Sequence, residues 1–153
     1  MKTILDNISE KLKKVAILTA FIPMIMDTGG NAGSQASVSI IRALSLNELE
    51  FRDIGRTIWK EIRVSVLIGA TLACANFAKL MLIDRVGLVV SAVVCLTLVA
   101  TVFVAKFVGC TLPLLAKKLG FDPAVMASPF ITTIVDALSL VVYFNIATSF
   151  LDF

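Results

Sequence analysis

The residues most able to do chemistry in this chain are hard oxygen donors set in otherwise apolar sequence. Ser128, Thr132, Asp136, Ser139 and Tyr143 follow one another at spacings of 4, 4, 3 and 4, with Thr133 alongside. At helical periodicity they form one narrow polar stripe, while the rest of the segment is Ile, Val, Leu, Ala and Phe. Asp136 stands twelve residues beyond Ala124. That is about 18 Å into a helix starting at Ala124, near the middle of a ~30 Å hydrocarbon core. A carboxylate there costs a few kcal/mol, so it is a functional clue. The stripe reads as an ion or proton pathway; the alternative is a helix-packing stripe, since Ser and Thr also bond across helices.

A second polar run lies near the other end: Asp27-Thr28-Gly29-Gly30-Asn31-Ala32-Gly33-Ser34-Gln35-Ala36-Ser37. Small residues four apart (Gly29 and Gly33, Gly30 and Ser34, Ala32 and Ala36) permit close helix approach. Asn31 and Gln35 offer amide carbonyls. Pro23 and Gly29-Gly30 predict an irregular helix, tolerated at membrane depth where it lines a watery cavity. A phosphate-binding loop is discounted, because the run lacks a Gly-Lys-Ser/Thr ending and a preceding strand. Asp27 either pairs with a cation or sits near a water-filled mouth. Lys106, also inside an apolar stretch, either snorkels to the interface or pairs with a carboxylate on a neighbouring helix.

Carboxylate, amide, hydroxyl and backbone carbonyl suit Mg²⁺ and Ca²⁺ rather than soft metals. One carboxylate with polar groups around it fits a hydrated ion better than a dry cage, and weak binding lets a conducted ion leave. The chain has no histidine, which removes His-based triads and the usual zinc and copper ligand. Its three cysteines, Cys74, Cys95 and Cys110, lie in apolar stretches without a C-x-x-C pair and read as packing residues. No base is placed to activate a Ser or Thr, so an enzyme is not expected. The net charge of +3 is too scattered to indicate nucleic acid.

The elements that must position these groups are apolar helices. The chain is 58% apolar and 16% charged, a balance that points to an all-α, polytopic membrane protein forming one domain over residues 1–153. Four windows are long enough to span: 15–41, 64–83, 86–115 and 124–151. Between the first two, Ser45 and Glu48 have capping-box spacing. Phe51, Ile54, Ile58 and Ile62 then share a face, which predicts a short amphipathic helix on the membrane with Trp59 as an anchor. The second and third windows are joined by a minimal loop at Asp84-Arg85. After the third, Gly120 suits a helix C-cap and Pro123 a helix start. The 42–63 and 117–118 connections share a side and hold seven Lys/Arg, so that side is expected to be cytoplasmic. Lys2, Lys11, Lys13 and Lys14 would then lie outside, against the same rule. A signal peptide is a poor fit to the start, since Asp27 and a Gly-rich run follow without a cleavage site.

With these residues in place a family resemblance can be stated. Pro23-Met24-Ile25-Met26, Thr28-Gly29-Gly30-Asn31-Ala32-Gly33-Ser34-Gln35 and Arg42-Ala43-Leu44 resemble the second transmembrane helix of the MgtE magnesium-transporter family. Lys60-Glu61, Leu112-Pro113-Leu114-Leu115, Asp122-Pro123-Ala124, Ser128-Pro129 and Thr132-Thr133-Ile134-Val135-Asp136 also fit, so the likeness covers nearly the whole chain. It implies a homodimeric, multi-pass cell-membrane protein that carries Mg²⁺ through a channel-like pore in the lipid bilayer, lined by the first and last spans seen here. It makes Asp136 the central cation-binding carboxylate and places Gly29, Gly30, Asn31, Gly33, Gln35, Ser128, Thr132 and Ser139 along the pore. Asp27 and Ser139 stand where the family often has Gly, and Asp27 would add cation attraction or alter gating. The family has a further helix before these four, preceded by cytoplasmic regulatory domains. Their lack would put Lys2 to Lys14 in an outer loop and remove Mg²⁺-dependent closure unless another chain supplies it. A partner-dependent, non-conducting membrane subunit and a proton-coupled divalent-cation carrier are the other readings.

Overall fold

The computed structural model describes residues 2–49, 51–126 and 128–150. They form four long helices: α1 Lys2–Ser45, α2 Ile54–Leu82, α3 Leu88–Lys118 and α4 Ser128–Phe150. Single 3₁₀ turns at Phe51–Asp53 and Pro123–Met126 precede α2 and α4, and no strand occurs among the described residues. Segments of all four are long and apolar enough to cross a membrane: Lys11–Ser45, Ile54–Leu82, Leu88–Lys118 and Pro129–Phe150. Helices are the physical solution here, because in lipid a backbone N–H or C=O finds its partner only within its own segment. The chain is therefore an all-α, multi-pass membrane protein.

The central helix is α3. It packs against α1, α2 and α4, while α1 also packs against α4. By contrast α2 lies outside, resting on α3. Lipid tails are as apolar as leucine, so close packing between helices depends on small residues rather than on water exclusion. Two crossings illustrate this. A Cβ on Gly109 of α3 would overlap the carbonyl oxygen of Gly33 in α1, and one on Gly69 of α2 would lie 3.2 Å from the Val99 Cα of α3. Around these points Val102, Ala105, Ile131 and Val135 are fully buried. At the other end of α1, Tyr143 is fully buried and its hydroxyl donates to the Leu18 carbonyl at 2.9 Å.

Several expectations are corrected. First, α1 runs unbroken through Pro23 and Gly29-Gly30 instead of becoming irregular. Its glycines are pressed against α3 and α4, where a helical backbone that satisfies itself is favoured over an unwound one with bare polar groups. Second, the amphipathic segment is not a separate surface helix: residues 54–62 are the first turns of α2 itself. The capping box does not form, because Ser45 ends α1 and its Oγ donates back to the Ile41 carbonyl at 2.8 Å. The chain reverses through Asn47, at a φ of 53°, so that buried Leu49 and half-buried Ile54 pack with Leu44 and Leu114. Phe51's side chain lies outside the described part. Third, Gly120 turns the chain at a φ of +80° as a C-cap glycine should, but Pro123 opens a 3₁₀ turn and α4 starts only at Ser128. Asp136 is then eight residues into its helix, or about 12 Å rather than 18 Å. The expected end of this span at Leu151 falls outside the described residues.

Lys106 does not snorkel. Its ammonium lies 3.3 Å from Glu61 Oε2 on α2, with side-chain exposures of 7% and 17%. Moving Lys106 to the interface would leave a partly buried carboxylate unpaired; keeping it inside neutralises both charges. Glu61 was not singled out in the sequence because it sits at the edge of a charged segment, where a carboxylate is unremarked.

Candidate ion-binding groove

Antiparallel packing of α1 and α4 brings the two polar runs together. A Cβ on Gly29 would lie 2.7 Å from Ser139 Oγ, one on Gly30 3.3 Å from Asp136 Oδ1, and one on Gly33 3.1 Å from Ile131 Cγ2. Moving up α1 thus means moving down α4. A Cβ on Gly30 would also stand 3.3 Å from Thr132 Cγ2, so a glycine here leaves room for the Asp136 and Thr132 side chains of α4.

From Gly30 the α1 surface opens outward. Asp27, Asn31 and Gln35 are all exposed and stand at i, i+4 and i+8, so they form a continuous polar stripe along the helix. On the α4 side, Asp136 and Thr132 are half-buried and Thr133 is exposed. Together these residues place two carboxylates, two amides and two threonine hydroxyls on the adjoining helices α1 and α4. The threonines are partly committed: Thr132 Oγ1 and Thr133 Oγ1 donate to the Pro129 carbonyl at 3.0 Å and 2.9 Å. A hydroxyl can accept as well as donate. Asp136 and Asp27 lie within range of each other's charge. Among the described residues neither is in an ion pair, whereas Lys106 pairs with Glu61 between α3 and α2.

The remaining expected pore positions divide by burial. Gly29 and Gly33 are buried at the contacts of α1 with α3 and α4, and Ser139 is buried beside Gly29 with its Oγ donating to the Val135 carbonyl at 2.6 Å. These three sit at the contacts between helices in the single chain. Tyr143, at the end of the stripe, is spent on the α1 backbone. Ser128's side chain lies outside the described part. The groove was not fully readable from sequence for this reason: periodicity places residues on a face of a helix but does not say which neighbour covers that face.

Thr101 of α3 was missed. It is fully buried against Gly29, and its Oγ1 has no hydrogen-bond partner among the described residues. The cysteines are free thiols, with Cys95 and Cys110 buried.

In chemical terms the groove offers hard oxygen atoms in an open row. Among the described residues no three or more His, Cys, Asp or Glu side chains gather closely enough to hold a metal ion. A row of this kind can hold a strongly hydrated cation through its water shell, with carboxylates supplying charge and amide and hydroxyl oxygens accepting from the waters.

Comparison with known proteins shows the family to which the chain belongs. The sequence profile of the MgtE divalent cation transporter family matches residues 22–146. The magnesium transporter MgtE of Thermus thermophilus is 36% identical over 156 aligned residues, covering 98% of this chain and 33% of the relative. That of Bacillus subtilis is 36% identical over 149 residues (97% and 33%), and that of Enterococcus faecalis 32% identical over 154 (99% and 33%). The chain spans about a third of the length of these curated relatives. A profile match over most of the sequence, together with identity sustained along its whole length, makes this chain a member of the MgtE family of divalent cation transporters.

Proposed function

We propose that this chain forms a Mg²⁺ pathway along the groove between α1 and α4, with Asp136 as its central cation-binding carboxylate. The observation that carries the reading is the placement of Asp136 Oδ1 3.3 Å from where a Gly30 Cβ would stand, with no cation among the described residues paired to it. An intramembrane carboxylate of this kind is stable when water or a passing ion neutralises it. The naming of all three relatives as magnesium transporters supports the choice of ion.

The Mg²⁺ substrate dehydrates reluctantly, so the ion travels with most of its waters. Asp136 supplies attraction; Asn31, Gln35 and Thr132 accept from the ion's waters, and Gly30 leaves room for them. Binding of this kind is loose enough for release. The groove is open on one side, and a polar row with two carboxylates is a poor surface to present to lipid. A second copy of the chain closes it: a homodimer brings two Asp136 carboxylates to one axis and encloses the pore.

The test is Mg²⁺ uptake into liposomes containing the purified chain, alongside Asp136→Ala and Asp136→Glu. Uptake is expected from the parent, to be abolished by Ala with insertion intact, and to be partly kept by Glu. Normal uptake by the Ala variant would sink the pore assignment. A well-inserted parent without uptake would favour a partner-dependent subunit, and uptake that collapses without a proton gradient would favour a coupled carrier.

A further inference from the structure

Asp27 is the one ionisable side chain in the middle of α1, and the proposed pathway gives it no role of its own. It stands twelve residues past Val15 and fifteen before Arg42, so about 18 Å of helix separates it from one end of the apolar run and about 22 Å from the other. It is exposed, and no described cation pairs with it. At that depth an unpartnered carboxylate on an exposed helix face cannot rest against hydrocarbon; a polar occupant must face it.

Its place identifies the occupant. Asp27 precedes Gly30 by three residues, which puts the two on one face of α1, and a Cβ on Gly30 would stand 3.3 Å from Asp136 Oδ1. It also heads the exposed stripe that continues through Asn31 and Gln35. Along the helix axis Asp27 is about 4.5 Å from the level of Gly30, on the side away from Arg42. With the Arg42 end cytoplasmic by the positive-inside rule, Asp27 lies on the outer side of Asp136. An octahedral Mg²⁺ hydrate, with metal–oxygen distances of about 2.0–2.1 Å, is large enough to bridge waters to carboxylates one helical turn apart.

We infer that Asp27 is a second cation-attracting carboxylate of the pathway, stationed one turn outside Asp136 and setting the Mg²⁺ concentration at which the path fills. This rests on the groove being the ion path. Asp27 acts on the hydrated ion through water, and its role is affinity and selectivity for divalent over monovalent cations, because attraction scales with the ion's charge.

The experiment uses the full chain, comparing the parent with Asp27→Asn, Asp27→Glu and Asp136→Ala. Two readouts are taken against Mg²⁺ concentration: uptake into liposomes, and the Mg²⁺-dependent rise in thermal stability in detergent, which reports binding without transport. Helix content by circular dichroism checks that each variant is folded. For Asp27→Asn, the half-saturating Mg²⁺ concentration is expected to rise about three- to tenfold in both readouts, with maximal uptake largely kept; Asp27→Glu is expected to stay within twofold of the parent. If Asp27→Asn matches the parent while Asp136→Ala loses both signals, the Asp27 role is overturned and the pathway stands. If Asp136→Ala also leaves both signals intact, or the parent itself shows no Mg²⁺-dependent stabilisation, the pathway fails and the Asp27 role fails with it.

Discussion

Replacing Gly109 by Ala tests the geometry that holds the groove together. The added methyl would sit 3.0 Å from the carbonyl carbon of Gly33 and 3.1 Å from Ala36 Cβ, and would overlap the Gly33 carbonyl oxygen. Ordinary carbon contacts are ~3.5–4.0 Å, so α3 and α1 must part by at least about half an ångström. Two of the three obstructing atoms are α1 backbone, which has no rotamer to yield. Nor is α1 free to retreat, because Gly33 is also pressed against Val135 and Ile131 of α4. Overpacking of this sort costs about 1–3 kcal/mol, and any displacement of α1 shifts Gly30 relative to Asp136. Unfolding in mixed micelles of increasing SDS fraction, followed by circular dichroism, should show that loss. Gly55→Ala and Gly87→Ala are the controls, since a Cβ at either meets nothing within 4 Å. Gly109→Ala as stable as these controls would refute the close crossing, and with it the argument that glycine sets the groove's shape.

Two further substitutions probe the polar groups inside the bundle. Thr101→Val keeps the side chain's shape and removes a buried hydroxyl that has no partner among the described residues; the same SDS titration should find it neutral or more stable by about 1 kcal/mol, and a clear loss would mean that the hydroxyl is satisfied in the membrane. Lys106→Met and Glu61→Gln each strand one charge of the buried pair and should cost about 3 kcal/mol apiece, whereas the double variant should recover most of it. Additive losses in that cycle would show that the two side chains do not interact.

Much of the architecture was legible before any coordinates. The four apolar runs were found because a membrane span has a length requirement that few soluble segments meet. The minimal turn at Asp84-Arg85 and the Gly120 cap were equally local matters, decided by backbone preferences of single residues. Boundaries were less secure. Pro123 favours a helix start, yet Asp122 Oδ1 accepts from the Ala124 N–H at 2.9 Å, stabilising a short turn there, and α4 begins five residues later. The glycine run predicted disorder of the helix because glycine's freedom is a property of the isolated chain; packing against α3 and α4 removed it.

By itself, then, the sequence determined the all-helical membrane fold, the intramembrane carboxylates Asp27 and Asp136, and the helical faces they occupy. These follow from composition and from the 3.6-residue repeat, which act within one segment. Only the tertiary structure decided which faces meet. It set Asp136 beside Gly30, sent Tyr143 to the Leu18 carbonyl, gave Lys106 to Glu61, and divided the small residues into those that pack helices and those that border the groove. Such pairings depend on the register and crossing of helices far apart in the chain, and in lipid that register is chosen by van der Waals fit at small residues and by the matching of buried charges, neither of which leaves a periodic mark in the sequence.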